Sequence, residues 1–551
     1  MLQPNTRHEI PEQTREVAWA AFPKGAQVMS MRDELGIIFD DQEFAELFSW
    51  TGQPGISPAQ LALVTVMQYI ENLTDRQAAD AVRGRIDWKY ALGLELEDAG
   101  FHYSVLSEFR GRLVEGGKED ILLNAILARC AERDLLGGKK LQRTDSTHVL
   151  GAVRNLNTIE IVGEAMRRAL NEIAVVAPTW LGARLHSDWL KRYGKPIDTF
   201  RLPKGPGKQL ELAKTIGADG YELLETIYER EAPPILRELR SVEVLRQVWV
   251  QHFYREEGRI YWRTRDTLGL PPAHRMIASP DDLDARYAVK REMSWIGYKV
   301  HVTETCDPDH PRLLTQVETT PATTHDVHLA EPIQEDLVAR DLAPDTMLVD
   351  GGYIEADLLV SSAKRGIDLV GPAPANKTWQ AKDGEAFDHT QFTIDWENMM
   401  ATCPAGHQSD RCHQRQTRRG TVNWVFAFNL SSCGDCPLRT RCTTARKSGR
   451  SLTVYPPEPY QTLQAARERA DTEEYKELYA KRAGVEGTIS QAARTTGLRR
   501  SRYRGLARTH LQHLASAAAL NIVRSVAWLR GERPVVTSVS PFIALASQAA
   551  T

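Results

Sequence analysis

The stretch KLQRTDSTHVL (Lys140–Leu150) follows a Gly-Gly turn and ends a long region of helical patterning. It predicts a short strand that contains Asp145. Four later strands are predicted, at Ile296–Thr305, Leu313–Thr320, Thr346–Asp350 and Gly366–Val370. A helix over about Glu355–Lys364 separates the last two strands. This order predicts an α/β fold whose single sheet is assembled from segments that lie far apart in the chain.

Two long segments interrupt the predicted sheet. The first, about 155–285, includes a loop at 200–208, and the second, about 376–460, contains most of the cysteines. Helical patterning outside the sheet is predicted at 157–173, 222–256 and 506–530. Breaks are expected at Gly497 and Gly505, before the last of these helices. One core that carries two inserts explains the pattern better than a row of independent domains.

Residues 30–120 have the patterning of a helical domain. Ser57 and Pro58 predict a helix start, with the helix over Ala59–Leu73. Thr74 and Gln77 have the spacing of a capping box, which predicts a second helix over Asp75–Gly84. Two helices joined by so short a turn are typical of a helix-turn-helix, and a plain helical bundle fits the same pattern.

These patterns divide the chain into seven predicted parts. They are 1–135 (helical, for DNA binding or dimerisation), 136–154 (first part of the α/β core), 155–285 (largely helical insert), 286–375 (core strands with the second aspartate), 376–460 (cysteine-rich insert), 461–535 (C-terminal helices) and 536–551 (tail).

Length and composition favour a soluble protein with several domains. The chain has 551 residues, of which 42% are hydrophobic and 26% charged, close to the average for globular proteins. Disordered, collagen-like and coiled-coil classes are excluded. No apolar run approaches the ~18 residues that cross a bilayer, and the polar N-terminus does not have the pattern of a signal peptide. We therefore expect a cytoplasmic protein with no membrane partner.

Positive charge is concentrated in two blocks, although the formal net charge is −3. Residues 411–450 contain nine Arg or Lys and one acid, and residues 481–510 contain eight Arg or Lys and one acid. A solvated surface could have the same composition. Two arginine-rich blocks nevertheless favour contacts to phosphate, because guanidinium binds phosphate oxygens in pairs.

Five of the seven cysteines lie within 40 residues, in the second insert. Cys433 and Cys436 form a Cys-x2-Cys pair, Cys442 follows, and Cys403 begins a Cys-Pro-Ala-Gly turn. Four thiolates can close a tetrahedral zinc site and stabilise a polar segment that has little core of its own. The preferred zinc ligands are Cys403, Cys433, Cys436 and Cys442, with Cys412, His407 or His413 as possible substitutes.

Three acids are placed where the predicted sheet would bring them together. Asp145 lies in the first strand, Asp350 ends the fourth, and Glu486 follows Arg482 by four residues on one helix face. Such a set of carboxylates suits Mg²⁺ or Mn²⁺, with two ions bridged at a scissile phosphate. Glu318 and Asp326 follow the third strand closely enough to compete for the same role, and each acid alone could be structural.

The chain resembles the DDE transposases of bacterial insertion sequences, in particular the group with a helical N-terminal domain and a cysteine-bearing insert. The resemblance covers about residues 30–530. It rests on Gly52–Pro58, Leu73–Ala79 and Leu106–Leu113 near the N-terminus, Thr144–Thr147, Trp295–His301, Thr324–Asp326 and Val349–Tyr353 in the core, Cys403–Gly406 and Cys433–Pro437 in the cysteine segment, and Arg482–Glu486, Gly497–Gly505 and Asn521–Arg524 beyond it.

The resemblance implies an RNase H-like core in which Asp145, Asp350 and Glu486 are the catalytic, metal-binding acids. It also implies that Tyr479 and Arg482 belong to the signature Tyr-x2-Arg-x3-Glu-x6-Lys. The final Lys of that signature is Ala493 here, and the adjacent Arg494 is the candidate to replace it. The residues expected to contact DNA are Tyr479, Arg482, Arg494, Arg499, Arg500, Arg502 and Arg504.

The activity implied is binding of the terminal inverted repeats of an insertion sequence, followed by Mg²⁺- or Mn²⁺-dependent cleavage and transfer of the DNA strands. The expected partners are double-stranded DNA and a second copy of the chain, and the expected location is the nucleoid. One alternative is an inactive DNA-binding regulator derived from a transposase. Another is a zinc-binding nuclease or adaptor unrelated to transposition.

Overall fold

A computed structural model describes residue 2 and residues 9–49, 51–53, 55–197, 202–264, 266–417 and 420–533. Arg418 and Arg419 of the first basic block lie outside these residues, as does the predicted tail at 536–551. The helices before the first strand are α1 (Glu12–Ala21), α2 (Gln27–Leu35), α3 (Pro58–Ile70), α4 (Asp75–Gly84), α5 (Ile86–Leu92), α6 (Ser104–Glu115) and α7 (Ile121–Glu132). The first strand is β1 (Leu141–Leu150).

The two predicted helix starts are confirmed. Ser57 Oγ accepts a hydrogen bond from Gln60 N at 3.1 Å at the start of α3. At the start of α4, Thr74 and Gln77 exchange both bonds of a capping box.

The end predicted for α3 was three residues too late. The helix stops at Ile70 because Asn72 takes a left-handed φ of 54°. Leu73 N then donates back to Gln68 O at 2.8 Å, which closes the last turn.

The segment between β1 and the rest of the sheet has a hydrophobic core of its own, which includes Met166, Leu223, Leu245 and Trp249. Its elements are α8 (Thr158–Val176), α9 (Pro178–Gly182), α10 (Ser187–Tyr193), α11 (Pro206–Tyr228), α12 (Arg240–His252), β2 (Phe253–Glu256) and β3 (Arg259–Trp262).

The helix predicted at 222–256 was wrong as a single element. Residues 229–239 separate α11 from α12, because Pro233 and Pro234 cannot continue a helix. The last four residues of the predicted helix form β2, since the positive φ angles of Glu257 and Gly258 turn the chain into a hairpin with β3. The loop predicted at 200–208 also ends too late, because Pro206 occupies the first position of α11.

The main sheet is mixed. Its further elements are β4 (Arg286–Lys290), β5 (Met293–Thr305), β6 (Leu314–Pro321), α13 (Val327–Ala339), β7 (Thr346–Leu348), α14 (Ala356–Lys364) and β8 (Asp368–Val370). The strand order is β4-β5-β1-β7-β8, and β6 pairs with β5 beyond the end of β4. β1 is antiparallel to β5 and parallel to β7. The five predicted strands are therefore present, whereas β4, a short and mostly exposed strand, was not predicted.

The cysteine-bearing segment packs around Phe392, Phe426, Phe428 and Leu452. Its elements are α15 (Trp379–Asp383), β9 (Thr393–Asp395), β10 (Met400–Thr402), β11 (Arg411–Gln416), β12 (Val422–Ala427), α16 (Leu430–Cys433), α17 (Arg439–Cys442) and β13 (Ser451–Val454).

The C-terminal helices are α18 (Pro457–Ala470), α19 (Glu473–Ala480), α20 (Gly484–Thr495) and α21 (Leu506–Leu529). α21 contacts α3, α7 and β6, so that the N-terminal helices and the sheet share one hydrophobic core. The Asn521 side chain bonds both backbone groups of Leu314 at 2.8 Å. No helix in the described ranges is both long and apolar enough to cross a membrane.

Candidate active site

Asp145, Asp350 and Glu486 converge on the guanidinium of Arg482. The closest contact is Arg482 Nη2 to Asp145 Oδ2 at 2.6 Å, and the same nitrogen lies 4.0 Å from Asp350 Oδ2. Arg482 Nη1 lies 3.7 Å from Glu486 Oε1. Three acids separated by 205 and 136 residues therefore share one cation, as their predicted grouping requires.

Strand register accounts for the meeting of the two aspartates. β1 and β7 are parallel, with Arg143 opposite Leu348. Two residues further along come Asp145, which is still within β1, and Asp350. Asp350 lies beyond the end of β7, where Asp350 Oδ1 accepts a hydrogen bond from Gly352 N at 2.8 Å.

Gly352 lets two acidic side chains approach the backbone. A Cβ at this position would lie 2.9 Å from Asp350 Oδ1 and 3.5 Å from Asp326 Oδ2. Glycine is required at position 352 because a larger residue would crowd the Asp350 carboxylate.

The acids differ in their exposure to solvent. The Asp145 side chain is 11% exposed, whereas the Glu486 side chain is 70% exposed. Burial raises the pKa of Asp145 above its ordinary value, and Asp350 adds to this effect, although Arg482 and the Ser146 backbone amide act in the opposite direction. A cation that replaced or joined Arg482 would offset the cost of keeping Asp145 ionised.

Asp326 lies next to these acids, in contact with Ser146, the residue after Asp145. Its carboxylate accepts from Lys299 Nζ at 2.9 Å and from Ser146 Oγ at 3.0 Å. Burial tends to raise the pKa of Asp326, but the bond and charge of Lys299, with smaller effects of His301 and Ser146, bring it below its ordinary value. Of the two competing acids, Asp326 thus adjoins the site.

Glu318 is directed elsewhere. It is close to His510, Asp120 and Asp336, and burial raises its pKa. The chain therefore brings Asp326, and not Glu318, beside the three predicted acids.

Lys299 and His301 were missed as members of this environment. Both lie on β5, and His301 Nδ1 is 2.6 Å from the Tyr353 hydroxyl. Burial lowers the pKa of His301 to about 4, so the ring is neutral at neutral pH. The available signal was the alternation of Lys299, His301 and Thr303 along a strand, which places three polar side chains on one face.

The donor chemistry at the acids suits a hard divalent cation, since carboxylate oxygens are the ligands that Mg²⁺ and Mn²⁺ prefer. In the described ranges, no three His, Cys, Asp or Glu side chains are arranged to hold a metal ion as they stand. The cation that the three carboxylates share is the Arg482 guanidinium. Its Nε is buried and has no hydrogen-bond partner within the part of the chain that the structure describes.

The residues predicted to contact DNA have different surroundings. Tyr479 stacks on Tyr475 with ring centroids 5.6 Å apart. Burial raises the pKa of Tyr479, and Arg482, Asp350 and Asp145 also affect it, which places the ring beside the acids. Arg494, in the last turn of α20, is exposed, with its Nε 3.3 Å from Ser490 O.

The arginines after Gly497 lie along the end of β1. Leu150 exchanges backbone hydrogen bonds with Arg499 and Ser501 at 2.9 and 2.8 Å, and Arg500 between them is exposed. Arg499 Nε also donates to Thr147 Oγ1 at 3.1 Å.

Arg502 and Arg504 contact other parts of the chain. Arg502 donates to Leu73 O at 2.7 Å and lies over the Tyr69 ring, 4.5 Å from its centroid. Arg504 pairs with Asp281 at 3.0 Å and is 59% exposed. Arg502 therefore connects this segment to the N-terminal helices.

The four preferred zinc ligands lie near one another. Their side chains, as the structure describes them, are not arranged to hold a metal ion. Burial raises the pKa of Cys442, and the charges of Cys433, Cys403 and Cys436 raise it further. The pKa of Cys412 is raised by burial alone. The turn predicted at Cys403 is present, with Gly406 N donating to Cys403 O at 2.9 Å.

Two family models match the chain. A model described as "Transposase DDE domain" matches residues 402–526, and one described as "Transposase domain (DUF772)" matches residues 22–112. The two matches support a DDE transposase. The first spans Arg482 and Glu486, while Asp145 and Asp350 lie outside it. Comparisons with curated proteins and with solved structures each found no match.

A DDE domain indicates an enzyme that cleaves and transfers DNA and that uses a divalent metal ion. The mixed α/β fold described above is consistent with such a domain.

Proposed function

We propose that this protein is the transposase of an insertion sequence, which binds the terminal inverted repeats of its element, cuts their ends and joins them to target DNA. The observation that carries the proposal is the convergence of Asp145, Asp350 and Glu486 on Arg482. The sheet order, with Asp145 in β1 and Asp350 just after the neighbouring parallel strand β7, supports an RNase H-like core. A dimer of the chain would pair the two element ends.

In this proposal Asp145, Asp350 and Glu486 would hold two Mg²⁺ or Mn²⁺ ions, which would supply Lewis-acid stabilisation of the charge that develops on the phosphate oxygens. Asp145 is fixed by the pairing of β1 with β5, and Asp350 is held by its hydrogen bond from Gly352 N. Glu486 is exposed and stands on the DNA side. Arg482 neutralises the carboxylates before the metal and DNA arrive.

The proposal is tested with purified protein, Mg²⁺ and labelled DNA that flanks the gene. Nicks at the repeat ends, with a free 3′-OH, are expected. Specific binding without cutting in either Mg²⁺ or Mn²⁺ would instead favour a DNA-binding regulator. Cutting without any preference for the repeat ends would favour an unrelated nuclease.

Arg500 and Arg502 should affect DNA binding differently. Arg500→Ala removes an exposed charge and is expected to lower DNA affinity and to reduce the slope of log K against log salt by about 1. Arg502→Ala should mainly lower the unfolding temperature, because Arg502 contacts Leu73 and Tyr69. Binding measured at several salt concentrations checks both variants. A reduced salt slope for Arg502→Ala alone would contradict this assignment.

The cysteine segment is proposed to carry structural zinc, held by Cys403, Cys433, Cys436 and Cys442. Cys436→Ser should abolish a stoichiometric zinc content and destabilise the segment, since a structural zinc site contributes directly to folding. Cys412→Ser is the matched control and should keep the metal, because Cys412 is not among the thiols that influence Cys442. Elemental analysis of the purified variants decides; zinc lost only from Cys412→Ser would reassign the ligands.

A further inference from the structure

A buried ion-pair cluster lies behind the candidate active site. Arg143 and Glu304 face each other across β1 and β5, and Arg143 Nε donates to Glu304 Oε1 at 2.7 Å. Their side chains are 3% and 0% exposed. Arg143 precedes Asp145 by two residues, so both side chains extend from the same face of β1.

The same arginine holds the beginning of the helix that carries Glu486. Arg143 Nη1 donates to Lys481 O at 2.5 Å, immediately before Arg482. Gly484 starts α20 directly above the guanidinium, and a Cβ at this glycine would overlap Arg143 Nη1. The φ of Gly484 is −65°, an ordinary helical value, so space is what requires glycine at this position.

The second turn of α20 is held by the other oxygen of the same carboxylate. Glu304 Oε2 accepts from Thr488 Oγ1 at 2.6 Å and from Arg524 Nη1 at 3.0 Å. Arg524 Nη2 donates to Thr488 Oγ1 at 2.7 Å. Glu486 thus lies between two anchored points, Lys481 and Thr488.

Stability alone does not account for this cluster. Burying charged groups carries a desolvation cost, and apolar side chains of similar size often stabilise a fold equally well. Apolar side chains could not bind the Lys481 carbonyl and the Thr488 hydroxyl. The charged groups therefore provide directional bonds that connect β1 to Lys481, just before α20, and β5 to Thr488 in the second turn of α20.

We propose that Arg143, Glu304 and Arg524 are positioning residues that set the placement of Glu486 relative to Asp145, and thereby the strength of divalent-metal binding and the rate of DNA cleavage. This proposal rests on the proposed function. None of the three residues is placed in contact with DNA or metal, and they act through α20.

The helix offers a matched pair of substitutions for the test. Gly484→Ala places a methyl group against Arg143, whereas Gly487→Ala, three residues later on the same helix, meets nothing within 4 Å. Both changes replace a glycine of α20 by alanine, a better helix former. A difference between the two variants therefore reports the contact with Arg143.

Two readouts are measured after thermal unfolding has shown that the variants fold. Mn²⁺ binding to the free protein is followed by electron paramagnetic resonance, and cleavage is measured at saturating DNA. Gly484→Ala is expected to raise the half-saturating Mn²⁺ concentration about tenfold and to slow cleavage about a hundredfold, the effect of a shift of roughly 1 Å. Its DNA affinity should equal that of Gly487→Ala.

Arg143→Lys tests whether the effect passes through the guanidinium, because lysine lacks the Nη1 atom that the new methyl group would overlap. It should weaken Mn²⁺ binding by itself, and adding Gly484→Ala should cause little further loss. If Gly484→Ala does not fold, Arg143→Lys alone provides the test.

Wild-type Mn²⁺ binding and cleavage in Gly484→Ala would overturn the inference, as would unchanged Mn²⁺ binding in Arg143→Lys. A wild-type protein that binds Mn²⁺ but never cuts DNA would count against the proposed function instead. In that case the Mn²⁺ comparison between the glycine variants still decides the role of the cluster.

Discussion

Asp350→Asn is expected to slow cleavage at the repeat ends by at least about a thousandfold. The carboxylate is proposed to hold a metal ion whose stabilisation of developing charge is worth several kcal/mol, and each 1.36 kcal/mol is about tenfold in rate. The fold should be kept, because asparagine retains the Oδ1 atom that accepts from Gly352 N. Binding of end DNA should stay close to wild type.

Asp357→Asn is the matched control for this variant. Asp357 is an exposed carboxylate in the first turn of α14, seven residues from Asp350. Its loss removes the same charge without touching the candidate site, so cleavage should be unchanged. Single-turnover cleavage and filter binding on the same DNA separate the two effects. Cleavage by Asp350→Asn at the rate of Asp357→Asn would remove Asp350 from the site.

Arg482→Gln is expected to make folding stability depend on divalent metal. Without metal, the free energy of unfolding should fall by about 3 kcal/mol, because Asp145 is nearly buried and loses its partner. Mn²⁺ at about a hundredfold above its dissociation constant should then restore about 2.7 kcal/mol. Wild-type protein should gain less from metal, since the ion must compete with the guanidinium for the same carboxylates.

Lys481→Gln is the control for Arg482→Gln, because it removes the neighbouring positive charge from an exposed position. Urea unfolding with and without Mn²⁺ gives the comparison. Equal stability of the two variants without metal would show that Arg482 is not the counter-ion of Asp145. An equal gain from metal in wild type and in Arg482→Gln would show that the ion does not compete with it.

Local sequence signals predicted much of the fold. The capping box at Thr74, the positions of the five strands and the last helix depend on residues close together in the chain, and the structure contains all of them. The approach of Asp145 to Asp350 could also be expected, because the parallel pairing of β1 with β7 brings Asp145 close to the residues that follow β7.

Other features depended on contacts that no local pattern records. The sharing of Arg482 by three acids requires the packing of α20 on β1, and the tethering of Arg502 requires the N-terminal helices. The sequence gives Gly484 no feature that distinguishes it from other helix glycines. The structure shows that Arg143 occupies the space that a Cβ at this position would need. The hairpin of β2 and β3 was missed because the four residues of β2 continue the helical pattern of α12, and pairing with β3 overrides that pattern.

Joining of a cut end to a second DNA tests the central claim most directly. Purified protein, Mg²⁺, DNA carrying the repeat ends and a target plasmid should yield covalently joined products, and Asp145→Ala should yield none. Joined products that persist in Asp145→Ala would contradict the assignment of the site. Binding of the ends without cutting or joining by wild-type protein would contradict the transposase itself.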